Sequence, residues 1–289
     1  LVQLGKHTLM AAIPSSWIQR HGLKKGDILE FNEVENKLVL TSTAEIFEKK
    51  TEITILSPSI AVVWRMIQPV YTSGYDEVKI NFKDHKAIPL INNSLELLIG
   101  FEIVESTKNS ITIKSISKSL DEEFEVILRR TFLILEQMIS LTNTFMTKKE
   151  KSLLEEINTL EKTLNKYTLF LKRIINRTGY KFPHYMYLIV TFLELAGNHI
   201  NYLCIYFKKN PSLRIETESK KGMKQIEVFY GEIYDLFYNY TEEKFKNISE
   251  ELPHFKWFDK IKDFEMRSNE KATSEYLVLL SRQIAALHI

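Results

Sequence analysis

Lys6, His7, Arg20, His21, Lys24 and Lys25 all precede Asp27, the first acidic residue of the chain. The stretch through Gly26 therefore holds four formal positive charges and no negative one, whereas the whole 289-residue chain carries a net charge of only +2. A local patch of this kind suits phosphate contacts, because each phosphate it neutralises releases condensed counterions. Dimerisation would double the patch and match a two-fold DNA site. Ordinary solvated lysines on a small dimerisation domain would carry the same charge, so charge alone leaves both readings open. A second excess of lysine lies at Lys208-Lys209, Lys220-Lys221 and Lys224. A solvated rim accounts for it, and docking of an acidic partner, or a path along DNA, is the alternative.

Other chemistry has little support. The chain contains no Gly-x-x-x-x-Gly-Lys-Ser/Thr, no Gly-x-Gly-x-x-Gly and no Gly-x-Ser-x-Gly elbow. It has no His-Glu-x-x-His and no cysteine pair for zinc. A non-enzymatic protein is expected. The single cysteine, Cys204, lies in the apolar run Tyr202-Leu203-Cys204-Ile205 and reads as a core thiol. No stretch reaches the roughly 18 consecutive apolar residues of a membrane helix, because Glu194 ends the run from Tyr185 to Leu193. The expectation is a cytoplasmic protein with no membrane insertion.

Three segments must position these residues. In residues 1–50, Leu9 to Pro14 reads as a strand, Ser15 to His21 as a short helix begun at Pro14 and ended by Gly22, and Lys24-Lys25-Gly26-Asp27 as a turn. Ile28 to Phe31 and Lys37 to Leu40 follow as strands around Val34-Glu35-Asn36. So few short strands cannot close a core alone. In residues 51–119 the pattern is β-α-β-α-β-β, a small α/β domain. Its first helix starts at Ser57-Pro58 and ends at Gly74, and its second runs from Leu90 to Leu98. Residues 120–289 are long-period and almost free of proline, with helices expected near 121–146, 149–177, 183–209, 220–247 and 263–288. A weak echo between Phe132–Ile157 and Val228–Leu252 suggests two bundles in tandem. The fold class is multidomain α+β.

Leu4 through Asp27 resembles the AbrB/SpoVT family of swapped-hairpin DNA-binding domains. The resemblance rests on a strand, Ile13-Pro14, a short helix, Gly22-Leu23-Lys24-Lys25-Gly26-Asp27 and a hydrophobic strand after it. It implies that two chains interleave hairpins into one β-barrel head, a homodimer, and that double-stranded DNA is a partner. The DNA-facing residues carried over are Lys6, Arg20, Lys24 and Lys25, with His7 beside them.

The segments Pro58 to Ile67, Tyr71 to Asp76 and Leu98 to Glu105 look like the linker domain of archaeal PhoU-like phosphate uptake regulators. The helical segment resembles PhoU, whose repeats are three-helix bundles. The implied function is transcriptional regulation of phosphate uptake or homeostasis, with a phosphate transporter or signalling protein as a further partner. The alternative is a PhoU-like adaptor that does not bind DNA, or a metal-dependent sensor. The family can hold divalent or trivalent metal through paired acidic motifs. The matching places are Glu161 with Asn165 and Glu194 with Asn198, the second in Glu194-Leu195-Ala196-Gly197-Asn198-His199, similar to the family's Glu-x-x-Gly-Asp-His. Residues four apart share one helical face, and carboxylates suit such cations. Both pairs have lost their second carboxylate to asparagine, so a hydrogen-bonded polar face explains them as well.

Overall fold

The computed structural model describes residues 2–4, 8–20, 22–34, 37–42, 48–116, 123–251 and 271–288. The chain is a mixed α+β protein that divides into two compact units, residues 1–50 and 51–289.

The first unit is built from two antiparallel ribbons and one short helix. Strands β1 (Val2–Leu4) and β2 (Thr8–Met10) pair with Gln3 opposite Leu9, and β3 (Leu29–Val34) and β4 (Lys37–Ser42) pair with Val34 opposite Lys37. Between them lies α1 (Ser15–Arg20), which starts where the Trp17 and Ile18 N–H groups donate to the Pro14 carbonyl. Gly22, at φ +58°, ends it. Its N–H reaches the Gln19 carbonyl and the Leu23 N–H reaches back to Ile18, so two terminal carbonyls of the helix are satisfied. Glu35, Asn36 and His21 lie outside the described residues.

The second unit begins with a four-stranded sheet in the order β5-β6-β8-β7, from β5 (Lys50–Ile55), β6 (Glu77–Phe82), β7 (Phe101–Ser106) and β8 (Ser110–Ser115). Helices α2 (Ile60–Thr72) and α3 (Ala87–Leu95) supply Val63, Ile67, Tyr71 and Ile91 to the core that β6 and β8 meet with Val78, Ile80, Ile111 and Ile113. The cap of α2 is Ser59, not Ser57: its hydroxyl accepts the Val62 N–H at 3.3 Å, one residue beyond Pro58. The second helix begins three residues before the expected Leu90, because Asp84 collects the Lys86 and Ala87 N–H groups ahead of it.

Helices α4 (Phe124–Lys148), α5 (Lys151–Thr178), α6 (Pro183–Lys209), α7 (Thr217–Tyr238), α8 (Glu242–Glu251) and α9 (Lys271–Ala285) make up the rest. The echo in the sequence predicts two bundles, but buried side chains from all six helices belong to one continuous apolar cluster. The expected helix over 220–247 is two helices. The Lys244 and Phe245 N–H groups bond to Thr241, which starts α8 after α7 has ended at Tyr238. Residues 263–270 of the last expected helix lie outside the described residues.

α6 has a mean hydropathy of 1.3 over 18 residues, so by length and composition it could cross a membrane. Counting consecutive apolar residues misses this, because Glu194 interrupts the run. Within the bundle α6 buries Leu193, Ala196, Ile200 and Cys204 against its neighbours. A helix packed on several sides is apolar around most of its circumference. Burial pushes the Cys204 thiol up to about 12, which keeps it protonated and inert.

Candidate functional site

In the first unit the chain from Gly22 to Asp27 presents cations by a local mechanism. The Lys24 N–H donates to Asp27 Oδ2 at 2.6 Å, and the Asp27 N–H returns to the Lys24 carbonyl at 3.1 Å. Gly26 sits at φ +103°, a conformation that favours glycine. The turn thus ties up the one carboxylate by backbone, and the ammonium groups of Lys24 and Lys25 are exposed with no ion pair among the described residues. Arg20 is the last residue of α1, with its side chain outside the described residues, as are Lys6 and His7. The structure therefore places Lys24 and Lys25 together and bears on no contact among the other three.

In the second unit Glu161 and Asn165 do share one face of α5. The Asn165 amide donates to Glu161 Oε1 at 2.7 Å, and Glu161 is also bonded by Asn201 of α6. Burial raises the Glu161 carboxyl above the usual carboxylate range, against the lowering effect of those bonds. Glu194 of α6 meets a different partner. Lys172, with a side chain only 8 % exposed, forms an ion pair with its Oε2 while the ammonium lies 5.5 Å from the centre of the Tyr187 ring. Asn198 is half-buried, and the His199 ring Nδ1 hydrogen-bonds the Leu195 carbonyl at 2.7 Å, the ordinary role of a packed histidine.

The metal implied by the PhoU resemblance can be tested against this donor set. One observation favours it: Asn165 Oδ1 is buried with no hydrogen-bond partner. The rest do not fit. Glu194 is already neutralised by Lys172, which leaves one carboxylate, Glu161, of raised pKa. No three His, Cys, Asp or Glu side chains gather among the described residues. Hard cations want six or more oxygen ligands with several charges among them. Lys172 was missed in the sequence, although it continues the face of Glu161 and Asn165 by two further turns, at i+11.

A larger polar cluster escaped sequence reasoning altogether. Asp76 Oδ1, in the turn before β6, accepts from Arg173 Nη2 at 3.1 Å and Arg177 Nη1 at 3.2 Å, both from α5. Arg173 Nη1 also donates to the Tyr71 and Tyr75 carbonyls, and the Asn176 amide to the Thr72 carbonyl. These are carbonyls at and just past the C-terminus of α2, where a helix has unsatisfied acceptors and a negative end. α5 thus caps α2 with Arg173 and Asn176 and ties the sheet layer to the bundle. Gly74 permits the approach: at φ +79°, a Cβ there would lie 3.0 Å from the Arg177 Cβ.

Compared with protein-family models, curated proteins and solved structures, the chain matches none.

Proposed function

We propose that this chain is a non-enzymatic, DNA-binding regulator of transcription, with paired heads on duplex DNA and a helical body that receives a signal or a partner. The observation that carries the DNA half is the 24–27 turn, whose fold frees two adjacent ammonium groups for phosphates. Pairing of heads is supported by the apolar surface of the first unit. Val2, Phe31 and Leu38, all on strands, are 58–66 % exposed, far more than a strand's core face should be. A second copy that interleaves its hairpins, as the AbrB/SpoVT resemblance implies, would cover them in a barrel. The link to phosphate uptake or homeostasis, and to a transporter or signalling partner, comes from the PhoU resemblance alone. The alternative, a PhoU-like adaptor that does not bind DNA, keeps the paired heads and uses them only to dimerise. A metal-dependent sensor is disfavoured by the Lys172–Glu194 pair.

The test is selection of fragments from the organism's own genomic DNA by the whole protein at two salt concentrations, repeated with the double variant Lys24→Ala/Lys25→Ala. Recovery of a discrete two-fold site, weakened in the variant with a salt slope smaller by about 2, is expected. Binding unaltered by the double variant would remove the assigned surface, and no selection above background would leave the adaptor reading.

A further inference from the structure

Of the lysine excess that the sequence shows, Lys208 lines a cavity and Lys220 lines the hollow next to it. The cavity has a volume of about 270 Å³ and lies at the end of the bundle where α4 turns into α5 and α6 runs into α7. Its floor is apolar. The rings of Phe145 and Phe207 pack 5.3 Å apart, and Leu154 and Ile215 stand beside them. All four are at most 7 % exposed. The rim is cationic. Lys149, Lys151, Lys208, Arg214 and Lys220, against the carboxylates of Glu155 and Glu216, line this cavity and the open hollow next to it.

Several of these cations have ordinary explanations. Lys149, in the left-handed conformation that ends α4, donates to the Leu213 carbonyl and ties the two connections together. Lys208 pairs with Glu155 at 2.6 Å, and with Lys209 it stands at the C-terminus of α6, where the helix dipole favours positive charge. The same rule works against the others. Lys151 is the first residue of α5 and Lys220 lies in the first turn of α7, where a cation opposes the dipole. α5 has no acidic residue in its first turn, and neither helix has a side-chain cap on its free N–H groups. Lys151, Arg214 and Lys220 have no ion pair among the described residues. α5 thus breaks this local rule beside an apolar cavity, whereas α7 sets Glu218 in the same first turn as Lys220. Such breaches collect where a ligand repays them.

We propose that this cavity is a binding site for a small amphipathic carboxylate, its apolar body on the Phe145–Phe207 floor and its carboxylate among Lys151 and the neighbouring cations. The volume holds roughly ten non-hydrogen atoms at liquid-like density, the size of a medium-chain fatty acid or an aryl carboxylate. A monoanion fits better than a phosphate dianion, because most of the lining is apolar and desolvating a second charge is costly. The site would make the helical body a receptor for a metabolite, and it stands or falls separately from the DNA reading of the head.

The experiment is calorimetric titration of the whole protein, without DNA, using octanoate as the probe. Octanol supplies the tail alone, acetate the head alone, and octyl phosphate and inorganic phosphate the other anion class. One octanoate per chain with submillimolar affinity is expected, with the other four probes weaker by about tenfold or more. Lys151→Glu should weaken octanoate by about tenfold, and Lys162→Glu, exposed farther along α5, should leave it unchanged. Leu213→Trp, which fills the cavity, should abolish binding without lowering the melting temperature. No octanoate binding in the millimolar range overturns the proposal, as does octanol binding equally well or Lys151→Glu having no effect. Octyl phosphate or inorganic phosphate binding more tightly than octanoate overturns the carboxylate assignment.

Discussion

Asp76 is 4 % exposed and answers two arginines that are themselves buried. Removing it leaves both guanidinium groups in the interior without their shared carboxylate, and only Arg173 keeps bonds to the Tyr71 and Tyr75 carbonyls. Asp76→Ala should therefore cost about 3–5 kcal/mol, the usual loss when one partner of a buried pair is deleted, measured as a lower midpoint in urea. Asp76→Asn, which keeps an acceptor oxygen, should cost less. Glu161 behaves in the opposite sense to a paired acid. Its folded pKa is raised by burial, so the folded state holds the proton more tightly than the unfolded chain does. Its contribution is complete below the unfolded pKa and is lost as pH rises through the carboxylate range to the folded value. Glu161→Gln should remove that pH-dependent loss, so the stability difference between acid and neutral pH shrinks, as read by denaturant midpoints across pH. These residues also mark what the sequence conveys. The Lys24–Asp27 turn is legible because its partners are three residues apart. The Asp76–Arg173 pair spans 97 residues, and nothing in the period of α5 announces it.

At Gly197, the backbone of α6 packs directly on the Leu164 side chain of α5. An ideal Cβ there would lie 2.3 Å from a Leu164 methyl group, and Leu164 is fully buried. Alanine ordinarily favours a helix over glycine by about 1 kcal/mol, but overpacking a tight core costs about 1–3 kcal/mol. Gly197→Ala should be neutral to destabilising, and Leu164→Ala/Gly197→Ala should be less destabilised than the sum of the single variants, because the smaller residue makes room. A double-mutant cycle by chemical unfolding reads this directly. The long helices were legible from their periodicity, and α4, α5 and α6 begin and end within about three residues of their expected bounds. The break between α7 and α8 was not, because Tyr238 and Tyr240 carry the aromatic pattern across it. The local signal is Thr241 followed by Glu242-Glu243, a cap and two acids at a helix start. Which helices share a core is a tertiary fact, and the repeat in the sequence pointed to two cores where the helices share one.

The two units differ in how much apolar surface each buries by itself. The second has a closed core in both its sheet layer and its bundle, joined by Leu169 of α5, which belongs to the sheet-layer cluster. The first leaves large apolar side chains exposed. Thermal unfolding of the whole protein should therefore show more than one transition. The transition of the first unit should rise with protein concentration, since association stabilises only the folded head, while that of the second should not. Calorimetry over a hundredfold concentration range reads both; a single concentration-independent transition would argue against paired heads. One further consequence follows from the length of α5. Its 28 residues span about 42 Å at the rise of an α-helix. One end carries Lys151 at the cavity, and the other carries Arg173 and Arg177, held at Asp76. The helix therefore joins the two places as one continuous rod: an axial push on its first turn that the bundle does not absorb arrives, about six turns away, at the loop leading into the sheet.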